Sequence, residues 1–306
     1  MANSAQADTL SPQGTSAPPG STEPLADLAA RYKLTVSGAR PGLLSYTRQL
    51  WARRHFIVAF ANAKTRATYS TAKLGQVWQV LTPLMNAAVY YLIFGYLVQT
   101  KDGIDNYVAF LVTGVFVFTF TQSAVLAGSR AISDQLNLIR ALHFPRACLP
   151  ISFTIVQLQQ LMFSMVVLCA IVLGTGEPLT LKWLLVLPAL VLQFVFNVGL
   201  SLVLARIGAV LVDIKQLLPF LLRTWLYLSG VFYSLDSYTD KAPAWVARVL
   251  EANPGAVYIE VIRDSLIESH QTLPLHVWGY AVGWALVMGI GGYVYFWKAE
   301  ERYGRG

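Results

Sequence analysis

The 306-residue chain holds few groups that could make or break bonds, and those few do not converge. Its four histidines, His55, His143, His270 and His276, are dispersed, with no H-E-x-x-H or G-x-S-x-G around them. Cys148 and Cys169 stand 21 residues apart, which fits no zinc motif and reads as small apolar packing. The segment GTGEPLT at 174–180 lacks the lysine of a phosphate-binding loop, so no ATP site is expected in this chain. Asp134 and His143 share one connecting segment, and Asp213 is a third candidate beside them. A membrane-embedded transferase acting on a polyprenyl phosphate would need such a set, but no compact motif unites these three. The remaining chemistry is that of cations able to hold anions. Nine Lys or Arg residues, among them Arg53, Arg54, Lys64 and Arg66, lie between 31 and 73 without one acid, and Arg223 stands alone in an apolar run.

The elements that carry these residues follow from composition. Apolar and aromatic residues make up 55 % and charged residues 13 %, with a mean hydropathy of +0.51. A soluble domain carries roughly a quarter charged residues. An ordinary water-soluble enzyme is therefore excluded. The net charge of +7 and pI of 9.4 come from one region beside long apolar runs, which points to a membrane surface and not to nucleic acid.

Residues 1–30 are rich in Ser, Pro, Gly, Thr and Ala, and a disordered tail is expected there. It does not read as a signal peptide, because the first cation is Arg31 and no apolar core follows it. From about 43 to 72 apolar residues recur at helical intervals against a cationic remainder, as expected for a helix lying at the headgroups or packed on a partner. Six apolar stretches follow, at about 79–99, 107–128, 149–174, 183–205, 216–235 and 274–297. Each is long enough to cross about 30 Å of hydrocarbon. The fold class expected is an all-α integral membrane protein with six spans. Lys and Arg number seventeen on one side and five on the other, which places both termini in the cytoplasm. Residues 236–272 contain APAWVARVL and AVYIEVIRDSLIE, which read as two short outside helices broken at Asn253-Pro254.

Three ordered stretches then carry a resemblance. They are TYSTAKLGQVWQVLTPL at 68–84, AISDQLNLIRALHFPRACLPIS at 131–152, and DIKQLLPFLLRTWLYLSGVFYS at 213–234 followed by ANPGAVYIEVIRDSL at 252–266. Together they resemble the permease subunits of ABC-2-type polysaccharide exporters, the family that moves O-antigen, teichoic acid, galactan and related lipid-linked glycans. The resemblance implies that residues 31–306 form one transmembrane domain with an interface helix, a cytoplasmic coupling helix and outside gate helices. It implies a homodimer in the cytoplasmic membrane, bound to two ATPase subunits that hold the ATP and magnesium. This chain would have no cofactor and no metal or catalytic residue of its own.

By the same resemblance Asn137, Leu138, Ile139, Arg140, Phe144, Pro145 and Arg146 fall in the loop that docks on the ATPase, and Phe144 and Arg146 are expected to be exposed. Glu260 and Arg263, three apart on one helical face, are either a gate pair or a solvated surface pair. Arg223 either faces the path or snorkels to the headgroups. Trp225, Tyr227, Phe232 and Tyr233 either stack on sugars or pack as belt residues. The function expected is ATP-driven export of a polyprenyl-diphosphate-linked polysaccharide. The alternatives are an ABC-2 exporter of a drug or small lipid, and the transferase.

Overall fold

The computed structural model describes residues 41–69, 75–98, 104–211, 213–234, 243–270 and 273–302, so the expected tail and Lys101 and Lys241 fall outside the described residues. Among these residues every regular element is helical. The amphipathic stretch forms α1 (Leu43–Ala52) and α2 (Arg54–Tyr69), separated at Arg53. Helix α3 (Trp78–Tyr90) runs on through a wider π-type segment, Tyr91–Leu97. Then come α4 (Tyr107–Arg130), the short α5 (Leu136–Ala141), α6 (Cys148–Gly174) and α7 (Val186–Val210, entered by a 3-10 turn at Leu181–Leu185). Helices α8 (Ile214–Leu228), α9 (Ala244–Glu251), α10 (Pro254–Leu266) and α11 (Leu275–Trp297) complete the order.

Five of these stretches are long and apolar enough to cross a bilayer: Val80–Leu97, Tyr107–Arg130, Cys148–Gly174, Leu181–Val210 and Leu275–Trp297. The chain is a multi-pass membrane protein. Helix α4 is the hub, buried along most of its length, while α3 and α11 turn most of their surface outward. Leu, Val and Ile side chains that would be a liability in water are here the lipid-facing surface.

The expected span at 216–235 is shorter than the sequence suggested. Helix α8 has 15 residues, about 22 Å, and ends where Gly230 takes φ +62°, followed by a buried turn through Val231 and Phe232. The ends of α8 still lie far apart along α4. Lys215 bonds Ser133, just past the Arg130 end of α4, while Val231 packs at Gly114 toward its other end. The Arg130 end of α4 and Gly114 are separated by about 24 Å of helix rise.

Helices α7 and α11 approach closely through glycine. A Cβ on Gly199 would collide with the backbone of Met288, and one on Gly292 with the backbone of Gly199. Small residues let backbones meet where lipid gives no hydrophobic drive to associate. Gly199→Ala should therefore cost about 1–3 kcal/mol through overpacking, read as a lower unfolding midpoint in detergent. Asn197→Leu, two residues away, removes a buried amide with no hydrogen-bond partner among the described residues and should leave the midpoint unchanged or higher. Equal destabilisation by both variants would show that the helix contact is not the constraint.

Candidate functional site

Polar side chains gather in knots at the two ends of this bundle, and they bring together segments far apart in sequence. The first knot is built on α10. Asn253 caps that helix, its Oδ1 accepting from the Gly255 amide at 3.0 Å, and Pro254 occupies the first position. The same Oδ1 accepts from Trp225 Nε1 at 2.7 Å, and Asn253 Nδ2 donates to the Leu228 carbonyl at 2.9 Å. One side chain thus ties the end of α8 to the start of α10. Gly255 is required there, because a Cβ would meet Ser229 Oγ and Trp225 Nε1.

Two turns along α10, Arg263 is fully buried. Its Nε donates to the Phe110 carbonyl at 3.2 Å, Nη1 to the Gly230 carbonyl at 2.9 Å, and Nη2 to the Val231 carbonyl at 2.9 Å. Nη1 also pairs with Glu260 Oε1 at 2.7 Å, and the guanidinium lies over the Phe110 ring, 3.3 Å from its centroid. Glu260 Oε2 meets His270 Nε2 at 2.7 Å. The planar fork is what allows one cation to satisfy three carbonyls and a carboxylate at once. The surface-pair reading of Glu260 and Arg263 is thereby corrected: the pair is buried and lies between α4, the turn after α8, and α10.

A second carboxylate closes the same end. Glu177, in the loop between α6 and α7, accepts from Asn106 Nδ2 at 3.0 Å, Ser269 Oγ at 2.7 Å and the Glu268 amide at 2.9 Å. Burial alone would raise its carboxyl, but these donors outweigh that and hold it below the ordinary carboxylate range.

The third knot is at the opposite end. Tyr46 on α1 donates to Glu300 Oε2 at 2.8 Å and accepts from the Ala147 amide at 3.2 Å. Glu300 Oε1 accepts from the Arg146 amide at 2.9 Å, and Arg146 Nη1 donates back to the Glu300 carbonyl. Burial pushes the Glu300 carboxyl up, offset only in part by the Arg146 amide and the Tyr46 hydroxyl. Helix α1, the loop before α6 and the turn after α11 are joined by these bonds.

The expected coupling residues divide accordingly. Asn137 and Arg140 on α5 are exposed, with Leu142 and His143 after them. Leu138 is half-buried, and Ile139 is buried against the core that contains Tyr46 and Phe296. Phe144 is not the free side chain expected: it is half-buried, its ring 5.3 Å from that of Phe56. Pro145 is buried and Arg146 is half-buried on Glu300, so the exposure expected of Arg146 is corrected as well. Among the interface cations, Arg53, Arg54 and Arg66 are exposed, and Lys64 lies over Phe60 and Phe153.

Along α8 the candidate path residues also separate. Arg223 is exposed and forms no hydrogen bond or ion pair with a described residue. Tyr227 is exposed, while Trp225 is half-buried on Asn253. Phe232 is fully buried, stacked on Phe94 at 4.4 Å and edge-on to Tyr90 at 4.7 Å, so no ring face is open to a ligand. Tyr233 donates to the Tyr227 carbonyl. Sequence reasoning missed Tyr46, Glu177 and Glu300, and read Asn253 only as part of a helix break. Their one visible signal is that each is a polar residue lying within, or within a few residues of, an amphipathic or apolar helix.

Residues 56–267 match the family model described as ABC-2 type transporter. The chain is 25 % identical over 200 residues to the O-antigen export system permease protein RfbA of Myxococcus xanthus, covering 65 % of this chain and 76 % of that one. It is 22 % identical over 252 residues to an O-antigen export system permease protein RfbA of Klebsiella pneumoniae, covering 81 % and 93 %.

Two outcomes follow from these knots. Arg263→Met leaves Glu260 and three carbonyls without their cation and should cost about 3–5 kcal/mol, read as a lower unfolding midpoint. Adding Glu260→Leu should recover part of it; a double variant no better than the single would show that the carboxylate is not what the arginine serves. Glu177 adds stability that is complete above the ordinary carboxylate value of about 4.3 and is lost as pH falls toward its lowered folded value. Between about pH 6 and pH 3 the wild-type midpoint should therefore fall more steeply than that of Glu177→Gln, and parallel curves would refute the assignment.

Proposed function

The chain belongs to the ABC-2 type transporter family, and we propose that it is the transmembrane subunit of an ATP-driven exporter moving a polyprenyl-diphosphate-linked polysaccharide across the cytoplasmic membrane. The observation that carries this reading is the alignment with named O-antigen export permeases, which extends over 76 % to 93 % of two of those relatives. Helical packing around α4 supports it, since five apolar helices without an acidic residue suit passive enclosure of a path better than a proton relay.

On this reading two copies enclose the path, and each binds an ATPase subunit at the end that holds Tyr46, Arg146 and Glu300. Both termini are then cytoplasmic, and α8 with its buried turn makes the sixth crossing. The exposed α5 face is the docking element. Behind it, the Arg146–Glu300–Tyr46 knot gives the loop a stiff connection to α1 and to the end of α11. At the outer end Arg263 and Asn253 hold α10 against α4 and α8, which suits a gate that closes by default. The exposed cations Arg53, Arg54 and Arg66 would meet the diphosphate at the inner surface, and Arg223 would meet anionic groups in transit.

The experiment is reconstitution with and without an ATPase partner. The isolated chain should hydrolyse no ATP, and co-reconstitution should give turnover coupled to movement of lipid-linked glycan. Arg140→Glu, at an exposed position, should lower export per ATP at least about tenfold while membrane abundance is unchanged, the scale of losing one charge-assisted contact. Turnover by the isolated chain, or full coupling in the variant, would overturn the reading.

A further inference from the structure

Between α3, α4 and α6 lies a cavity of about 200 Å³ that opens to the surroundings. Its polar lining comes from Thr119 and Ser123 on α4, Gln157, Gln160 and Ser164 on α6, and Thr82 on α3, with Trp78 at the rim. None of the described residues that line it is charged. Ser123 lies about 10 Å and Thr119 about 16 Å along α4 from its Arg130 end, which is hydrocarbon depth and not headgroup depth.

The lining is periodic, and that makes it a built face. Gln157, Gln160 and Ser164 recur at helical spacing on α6, as do Phe116, Thr119, Phe120 and Ser123 on α4. A side-chain amide facing hydrocarbon without a partner is costly, and polar residues at this depth mark sites that hold something polar. Gln157 forms no hydrogen bond with a described residue, so its donors and acceptors are left to whatever fills the space.

The geometry points to a binding site for one uncharged, hydroxyl-rich ring carried on a lipid. Amides and hydroxyls supply both donors and acceptors, as a polyol requires, and the indole of Trp78 offers a flat face to the apolar side of a sugar ring. The lack of cations argues against a phosphate as the occupant. The opening lets a lipid tail remain in the bilayer while the ring enters. As a stage in export this rests on the proposed function; as a site it rests on the cavity alone.

The test uses the full chain in nanodiscs of phosphatidylethanolamine and phosphatidylglycerol, which contain no sugar. Octyl β-glucoside, octanol and octyl phosphate are titrated below the level that disrupts the disc, and Trp78 emission is read as wild type minus Trp78→Phe. The glucoside should saturate the signal, octanol and octyl phosphate should not, and Gln157→Leu should weaken the glucoside at least about tenfold. Gln157→Leu removes a polar group from a span, so insertion should not suffer, and Ser123→Leu, which fills the space, serves as a second variant. Competition by an isoprenoid glycosyl phosphate would assign the ring to cargo, and by glucosyl diacylglycerol to a resident glycolipid; either supports the site. Equal response to octanol, preference for the phosphate, or no saturable response would overturn it, leaving an apolar or water-filled crevice. No ATPase or export is measured, so a negative result leaves the export reading standing, and failed export would not touch a positive one.

Discussion

Everything at the α10 end of this molecule depends on where one guanidinium can be kept. Arg263 is buried beyond the reach of solvent, at a level where α4 is lined by Phe110 and Gly114. A cation in that position must be met by protein on all sides. The demand is answered by two carbonyls that need donors themselves, those of Gly230 and Val231, left over where α8 ends, and by that of Phe110 within α4. Terminating α8 early and burying Arg263 are thus two halves of one arrangement. Without the arginine the buried turn would carry orphaned carbonyls, and without the turn the arginine would keep only Glu260 and the Phe110 carbonyl and ring.

This also accounts for the glycines around it. Gly114 leaves room for the Arg263 fork, Gly230 adopts the left-handed backbone that ends α8, and Gly255 lets α10 start against Ser229. Each is placed by a close approach made by a polar contact. The contrast with α7 and α11 is instructive, because Gly199 and Gly292 there serve backbone contact alone.

The long spans were legible because twenty or so apolar residues in a row admit few structures, and α4, α6, α7 and α11 fall within a few residues of their expected limits. The position of the Asn253-Pro254 break and the i, i+3 pairing of Glu260 with Arg263 were legible from local chemistry. Depth was not. A helix carrying Glu260, Arg263 and Asp264 can read as a solvated face, yet α10 is almost wholly buried, since the carbonyls that receive Arg263 come from residues 110, 230 and 231. Nor could the sequence say that Phe144 and Arg146 are packed and that Asn137 and Arg140 are the exposed members of that loop. The signal in each case is tertiary: Phe56 and Glu300 are far away in sequence.

The two ends are therefore built on opposite principles, and that difference bears on how force would pass between them. At the Glu300 end the polar bonds join three segments that are each part of, or continuous with, a helix: α1, the start of α6, and the end of α11. On the proposed reading, a displacement of the α5 loop there would be delivered to whole helices. At the Arg263 end the bonds tie a turn and a short helix, elements with few covalent anchors of their own, to each other and to α4. Rigid elements carry displacement, and short elements held by a few strong polar contacts are the ones that can be released. A push applied through stiff helices and spent on a small set of hydrogen bonds is what a path opened from one side and closed at the other requires.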